Sequence, residues 1–373
     1  ISYKQKIDLF ILSEMLSEKN RNFYSFKKSK SLPIFFLFIL SLLYAVVLNI
    51  SIKDSLGITS LEDGSILPSL VFKNPSYFTN DWFAQNYSFL MWTSITKWLP
   101  AILFKFLSLD PIYLHIFFIV VQPIGIILGT YQLSKQLFNS RKIAILASVF
   151  MIIYTPYFNN IAWYGDQFYM PYPTWISIGP ILFAWAGHLE NKKIKTFLWI
   201  SLAALIHPAM SLCGAISIAI MSDFSSQKFN FVNNIIHKAY ILLPSIFFSF
   251  LAFLIQKFNT FTPIPTYWFA KSNDAVHWYS WKLIPGQTWF SITLYTSIFI
   301  YTIYNISKTK FTFTNTEISN ISSKILITFL ASYFFQALSY TLKLKTLYSI
   351  SFGRITIFTS IISTVMIAKF IVL

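Results

Sequence analysis

The chain has 373 residues, of which 55% are hydrophobic and only 11% are charged. Soluble globular proteins carry about 25% charged residues, so this composition argues against an ordinary soluble domain. Several apolar runs of about 18 residues or more indicate a polytopic helical membrane protein instead. The net charge of +16 does not indicate a nucleic-acid partner, because the sequence shows no basic face and no nucleic-acid-binding motif.

The first predicted elements are a basic arm, a membrane span and a polar loop. Residues 1–31 form the basic N-terminal arm, and residues 32–52 form the first span. The polar loop continues to about residue 84. The next apolar run, 85–107, also contains lysine, tryptophan and proline, which is typical of an amphipathic helix in the membrane interface. We therefore predict an interfacial helix there, within an outer segment over 53–107.

Nine further apolar runs follow, which brings the prediction to about ten spans. The runs on either side of His207-Pro208 are each shorter than the roughly 20 residues needed to cross a bilayer. They predict either a short hairpin or one helix kinked at the proline. The predicted fold class is all-α: a polytopic transmembrane helical bundle, with a single domain over 32–373. The later runs are 112–134, 142–157, 174–189, 194–206, 208–222, 239–256, 288–306, 324–341 and 351–373.

The distribution of lysine and arginine predicts the topology. With a cytoplasmic N-terminus and an interfacial 85–107, most of the 29 basic residues fall on the cytoplasmic side, as the positive-inside rule requires. We therefore expect a multi-pass protein of the plasma (inner) membrane, with membrane lipids as partners. Because the chain begins at Ile1 and ends inside an apolar run, we expect it to be truncated at one or both ends.

Acidic residues are concentrated in the outer loop after the first span. The chain has 13 of them, and Glu62, Asp63 and Asp81 lie in this loop. A carboxylate at the rim of a membrane protein can act as a general base toward a hydroxyl. The alternative is an ordinary loop acid, with Glu62-Asp63-Gly64 as a turn. Such oxygens would also suit a divalent cation, so the cofactor stays open, and no other metal-ligand spacing is seen.

Candidate residues also occur in other outer segments and at the helix break. Asp166 is either a turn residue or a second carboxylate for the same cavity. Arg354 opens the last run and follows Lys343 and Lys345; it either snorkels to lipid headgroups or binds a phosphate through its guanidinium fork. His207 is a functional candidate because ionisable residues within a membrane are costly. Its alternative is a plain kink whose backbone groups are satisfied by neighbours.

This layout resembles the GT-C superfamily of membrane glycosyltransferases over residues 32–373. The likeness rests on the acidic outer loop that leads into an amphipathic helix, on the basic turn from Lys135 to Lys142, and on the short segments around Ile206-His207-Pro208. The stretch from Asp63 to Asp81 is also similar to a group of uncharacterised bacterial membrane proteins of this architecture. Members of the superfamily transfer sugars from polyprenyl-phosphate donors.

The resemblance implies transfer of a sugar from a polyprenyl-phosphate donor to an envelope glycan, lipid or protein on the outer face. Either Asp63 or Asp81 would deprotonate the acceptor hydroxyl, and Arg354 would stabilise the departing lipid phosphate. Two alternatives stay open, namely a transporter or lipid flippase, and an integral membrane protein without catalysis. Against transport, the acids cluster at the rim and no internal repeat is visible. The predicted substrate-binding residues are Glu62, Asp166, His207, Lys343, Lys345 and Arg354.

Overall fold

The computed structural model describes residues 32–51, 66–80, 94–153, 173–221, 238–258 and 352–372, together with some positions of the segment 324–342. Over these ranges the secondary structure is helical, and none of the described residues is in a strand. The all-α fold class predicted from the sequence is confirmed at this level. The described positions of the segment 324–342 are helical as well.

The helices of the described residues are numbered here in chain order. In chain order they are α1 (Leu32–Ser51), α2 (Ile66–Lys73), α3 (Ile95–Leu107), α4 (Pro111–Phe138), α5 (Arg141–Ile153), α6 (Pro173–Leu189), α7 (Lys193–Ile206), α8 (Pro208–Met221), α9 (Ala239–Phe258) and α10 (Ile355–Val372). Two short 3₁₀ helices, Pro75–Phe78 and Phe352–Arg354, accompany them.

Residues at the ends of α4 explain why this helix begins and stops where it does. Pro111 occupies its first turn, where a missing N–H costs nothing, and the Asp110 carboxylate accepts a hydrogen bond from the Ile112 N–H at 2.9 Å. At the other end Asn139 adopts the left-handed conformation (φ 47°), and its N–H donates to the Lys135 carbonyl. These caps satisfy backbone groups that the helix itself leaves unpaired.

Close packing of α4 against α6 forms the centre of the bundle. Glycine allows it: a Cβ atom at Gly179 of α6 would lie only 2.7 Å from the backbone carbon of Gly125 in α4. The core beside this crossing contains Tyr131, Trp175 and Trp185, each exposed by 1% or less. Helices α7 and α8 pack on α6, and α9 packs on α7 and α8, while α10 lies against α5.

The end of the bundle at which α6 joins α7 is rich in paired basic residues, and we call it the basic end. There Glu190 accepts hydrogen bonds from Gln136 Nε2 at 2.7 Å and Lys195 Nζ at 3.1 Å, and its Oε2 lies 2.9 Å from Lys192 Nζ. The His188 ring is hydrogen-bonded to the Tyr240 hydroxyl at 2.5 Å. Since α7 has 14 residues, its far end at His207 is about 21 Å away.

The number of membrane-spanning helices differs from the sequence prediction. Among the described residues, one apolar helical stretch, Pro111–Phe138 of α4, is long enough to cross a bilayer. The shorter apolar helical stretches are Leu32–Val47, Pro208–Met221, Ala239–Ala252 and Ile355–Lys369. The sequence predicted about ten spans. Part of the difference has a physical reason: α7 and α8 are separate helices of 14 residues each, about 21 Å long, which is less than a hydrocarbon core of about 30 Å.

The outer segment also contains more structure than the predicted polar loop. Within the predicted loop over 53–84, residues 66–73 form α2, which tolerates its proline because Pro68 lies in the first turn. Helix α2 packs on α3, the described part of the predicted interfacial helix. Two cation–π contacts join them: Lys73 Nζ lies 3.8 Å from the centre of the Phe104 ring, and Lys105 Nζ lies 4.4 Å from that of Phe72.

Candidate functional site

The structure brings together two of the residues selected from the sequence. His207 and Arg354 are 147 positions apart in the chain, yet His207 Nε2 lies 3.3 Å from Arg354 Nη1. Both side chains are half-buried. The other selected residues lie outside the part of the chain that the structure describes; they are Glu62, Asp63, Asp81, Asp166, Lys343 and Lys345.

The break between α7 and α8 positions His207. The residue before a proline is disfavoured in the helical conformation, and His207 is extended, with φ −152° and ψ 96°. In a continuous helix the N–H of Met210 would donate to the Ile206 carbonyl. Here the Met210 N–H donates to His207 Nδ1 at 3.1 Å, and the Ile206 carbonyl accepts from the Ser94 hydroxyl at 2.5 Å. The Met210 N–H and the Ile206 carbonyl, which the break releases, therefore both have partners.

The Met210 contact assigns the tautomer of the His207 ring. A neutral imidazole has one nitrogen that donates and one that accepts. Because Nδ1 accepts from the Met210 N–H, the proton of the neutral ring is on Nε2. Nε2 faces Arg354 Nη1, which can only donate. Two donors side by side do not bond to each other, so their geometry is suited to a third group that accepts from both.

Arg354 is held by a separate contact with the segment 324–342. It ends the 3₁₀ helix Phe352–Arg354, and the Phe352 carbonyl accepts a hydrogen bond from the Ser332 hydroxyl at 2.8 Å. The rings of Phe335 and Phe352 also pack with their centres 5.3 Å apart. The Nε atom of Arg354 is buried and has no hydrogen-bond partner among the described residues. The guanidinium therefore retains an unused donor.

Additional positive charge surrounds this pair. Lys97, in the first turn of α3, is only 8% exposed, and the charges of Arg354 and Lys97 both act on the His207 ring. Helices α3 and α8 begin here, and a helix N-terminus carries partial positive charge. Two carboxylates belong to the described residues. Asp110 caps α4, whereas Glu190 is paired at the basic end, so neither pairs with Arg354.

We call Lys97, His207 and Arg354 the cationic cluster. Buried charge is costly unless it is paired, and no carboxylate of the described residues pairs with Arg354, so the site around Arg354 is suited to bind an anion. Guanidinium and imidazole N–H groups are donors that match the oxygens of a phosphate. A metal cation would be repelled by the same charges, and the described ranges contain no group of three or more His, Cys, Asp or Glu side chains placed to ligate a metal.

Sequence reasoning did not identify two residues of this site. Lys97 was interpreted as an interfacial lysine, and Ser94 was not selected. A local signal for Ser94 does exist, because serine directly before an apolar helix is a typical N-cap. Its Oγ accepts from the Thr96 N–H at 3.4 Å. Its bond to the Ile206 carbonyl, 112 positions away, has no local signal.

Comparison of the chain with family models, with curated proteins and with solved structures gave no match. The function is therefore argued from the geometry of the cationic cluster and from the sequence pattern.

Proposed function

We propose that the chain is a membrane glycosyltransferase that uses a polyprenyl-phosphate-linked sugar, and that the cationic cluster binds the phosphate of this donor. The observation that carries the proposal is the pair of donors at 3.3 Å, Arg354 Nη1 and His207 Nε2, with no described carboxylate between them. A phosphate oxygen that accepts from both nitrogens would give each of these two facing donors an acceptor.

The role of the cluster follows from the chemistry of the transfer. The bond between the anomeric carbon of the sugar and the phosphate oxygen breaks, and the acceptor oxygen bonds to that carbon. Negative charge grows on the departing lipid phosphate, where Arg354, His207 and Lys97 would stabilise it. The acceptor hydroxyl loses its proton to a carboxylate, for which Asp63 and Asp81 stay the candidates.

The distribution of basic residues supports an outer-face location for the cluster. Lysine and arginine are enriched on the cytoplasmic side of membrane proteins. The basic end, opposite the cluster, contains many of the described basic residues. If this end is cytoplasmic, the cluster would lie near the outer leaflet. These residues are Lys135, Arg141, Lys142, Lys192, Lys193, Lys195 and Lys238.

The exposed surface supports a lipid-linked ligand. Helix α3, which carries Lys97, exposes Phe106 and Leu107 by 70% each at its other end. The bundle also exposes apolar side chains on other helices, such as Phe35 on α1 and Phe247 on α9, by 62% and 60%. A ligand with a charged head and a long hydrocarbon tail matches a cationic cluster next to such a surface.

Binding of decaprenyl phosphate and of decaprenol to the purified protein tests the proposal. The two lipids differ only in the phosphate. We expect a clear preference for the phosphate, and a loss of about 10- to 100-fold in its affinity on Arg354→Gln, the usual contribution of charged hydrogen bonds. Arg141→Gln, an arginine at the basic end, is the matched control and should bind like the wild type. Equal affinity of the wild type for both lipids would contradict the proposal.

A lipid flippase would also recognise a lipid phosphate, so a second measurement separates it from an enzyme. The protein is reconstituted in vesicles with a set of decaprenyl-phosphate sugars and an envelope extract as the acceptor. A glycosyltransferase releases decaprenyl phosphate and attaches the sugar to the acceptor. A flippase moves the intact lipid between leaflets without cleaving the sugar.

A further inference from the structure

We infer that Ser94 is a positioning residue of the cationic cluster: its hydroxyl fixes the start of α3, and therefore Lys97, against the break between α7 and α8. The inference rests on the proposed function, since it assigns to Ser94 an indirect part in phosphate binding. Ser94 itself does not contact the phosphate in this account.

A hydrogen bond at the break joins α3 to the α7–α8 junction. The Ile206 carbonyl loses its helical donor because the Met210 N–H turns to His207 Nδ1. A buried carbonyl without a partner costs free energy, and Ile206 is only 6% exposed. The Ser94 hydroxyl donates to this carbonyl at 2.5 Å. The same break thus orients the His207 ring and provides the attachment point for α3.

Ser94 also starts α3. It is the N-cap residue, and its Oγ accepts from the Thr96 N–H. The Thr96 hydroxyl lies 2.7 Å from the same Oγ, and it must be the donor because the Ser94 proton is donated to Ile206. Lys97 follows in the same turn. One hydroxyl therefore fixes both the beginning of the helix and its position on the bundle.

The packing of α3 makes the Ser94 bond important for the position of its first turn. The helix packs mainly on α2 and only sparsely on α4 and α7. Its first turn is held to the bundle by the Ser94 bond and by Ile95, which packs against Phe118, Ile176 and Ile206. Without the Ser94 bond, the first turn, with Lys97, is held less closely to the break. Lys97 would then contribute less to the potential at His207 and Arg354.

The test compares variants of Ser94 for binding of decaprenyl phosphate and decaprenol. Ser94→Ala should weaken phosphate binding about fivefold, the factor that corresponds to one net hydrogen bond, and leave decaprenol binding unchanged. Ser94→Thr retains a hydroxyl and an N-cap, so it should bind within about twofold of the wild type. Ser94→Gly removes the hydroxyl at little cost to the helix start and replaces Ser94→Ala if that variant does not fold.

Ser148→Ala is the matched control, because the Ser148 hydroxyl also bonds the carbonyl of another helix, that of Ile127 at 3.2 Å, between α5 and α4. It should not change the preference for phosphate. A double-variant cycle shows whether Ser94 acts through Lys97: on a Lys97→Gln background, Ser94→Ala should weaken binding by less than about twofold. A full fivefold loss on that background would overturn the inference.

The outcomes also separate the inference from the proposed function. If Arg354→Gln leaves phosphate binding unchanged, the proposed function fails. If Arg354→Gln weakens binding whereas Ser94→Ala and Ser94→Gly do not, the cluster binds phosphate but Ser94 does not position it, and only the inference fails.

Discussion

The two ring nitrogens of His207 have different partners, so replacement by asparagine and by glutamine separates their roles. The side-chain oxygen of His207→Asn extends about as far as Nδ1 and can accept from the Met210 N–H, but nothing replaces Nε2. The amide of His207→Gln extends about as far as Nε2 and can donate there, but the Met210 N–H loses its acceptor. The assigned tautomer therefore predicts opposite effects on stability and on phosphate binding.

The magnitudes follow from the burial of the groups involved. Met210 is 0% exposed, and a buried N–H without an acceptor costs about 1–3 kcal/mol. His207→Gln should lose this much stability, whereas His207→Asn should lose less than about 1 kcal/mol. For phosphate binding, His207→Asn should have the larger effect of the two variants. His207→Asn removes a donor to a charged phosphate, worth about 10- to 100-fold in affinity, whereas His207→Gln retains a donor and should lose far less.

Thermal unfolding in detergent and binding of decaprenyl phosphate measure the two effects on the same preparations. The account expects the lower unfolding midpoint for His207→Gln and the weaker phosphate binding for His207→Asn. If His207→Asn unfolds first and binds phosphate normally, then Nδ1 is not the accepting nitrogen, and the argument for two adjacent donors is wrong.

Two further predictions concern the packing and the basic end. Gly179→Ala places a Cβ 2.7 Å from the backbone of Gly125, whereas the Cβ of Gly125→Ala meets nothing closer than 3.4 Å. In thermal unfolding, we expect Gly179→Ala to lose about 1–3 kcal/mol of stability and Gly125→Ala to lose little. Equal losses would contradict the close crossing. Burial favours the protonated form of Glu190, but hydrogen bonds and charge from Lys192 and Lys195 outweigh it, so its pKa lies below the ordinary value of 4.5. A carboxyl whose pKa is lowered in the folded state stabilises the fold at pH values above its pKa in the unfolded chain. The wild type should therefore unfold at a higher temperature than Glu190→Gln, by a margin that is constant down to about pH 4.5 and shrinks as the pH falls further. A margin that grows below this pH would refute the pairing.

Much of the local structure was predictable because it depends on near neighbours in sequence. The run predicted at 194–206 is α7 (Lys193–Ile206), and that predicted at 208–222 is α8 (Pro208–Met221). Pro208 indicates the break by itself, since it lacks an N–H and restricts His207. Helix α2 was missed because its eight residues are too few for a clear periodic signal within a polar stretch.

The candidate site was predictable only in part, since it depends on contacts between distant segments. Arg354 and His207 were each selected for their own chemistry, but nothing in the sequence brings them within 3.3 Å. In the sequence, Lys97 lies in an apolar run with other lysines and tryptophans, as interfacial lysines commonly do. Its proposed role depends on a long-range contact, the bond of the Ser94 hydroxyl to the break. The carboxylates predicted as bases, Asp63 and Asp81, lie outside the described residues.

An experimental structure in lipid nanodiscs with bound decaprenyl phosphate tests the central claim most directly. The account predicts that phosphate oxygens lie about 2.7–2.9 Å from a guanidinium nitrogen of Arg354 and within hydrogen-bonding distance of His207 Nε2. It is contradicted if the phosphate binds elsewhere, or if a carboxylate such as Asp63, Asp81 or Asp166 pairs with Arg354 and neutralises it.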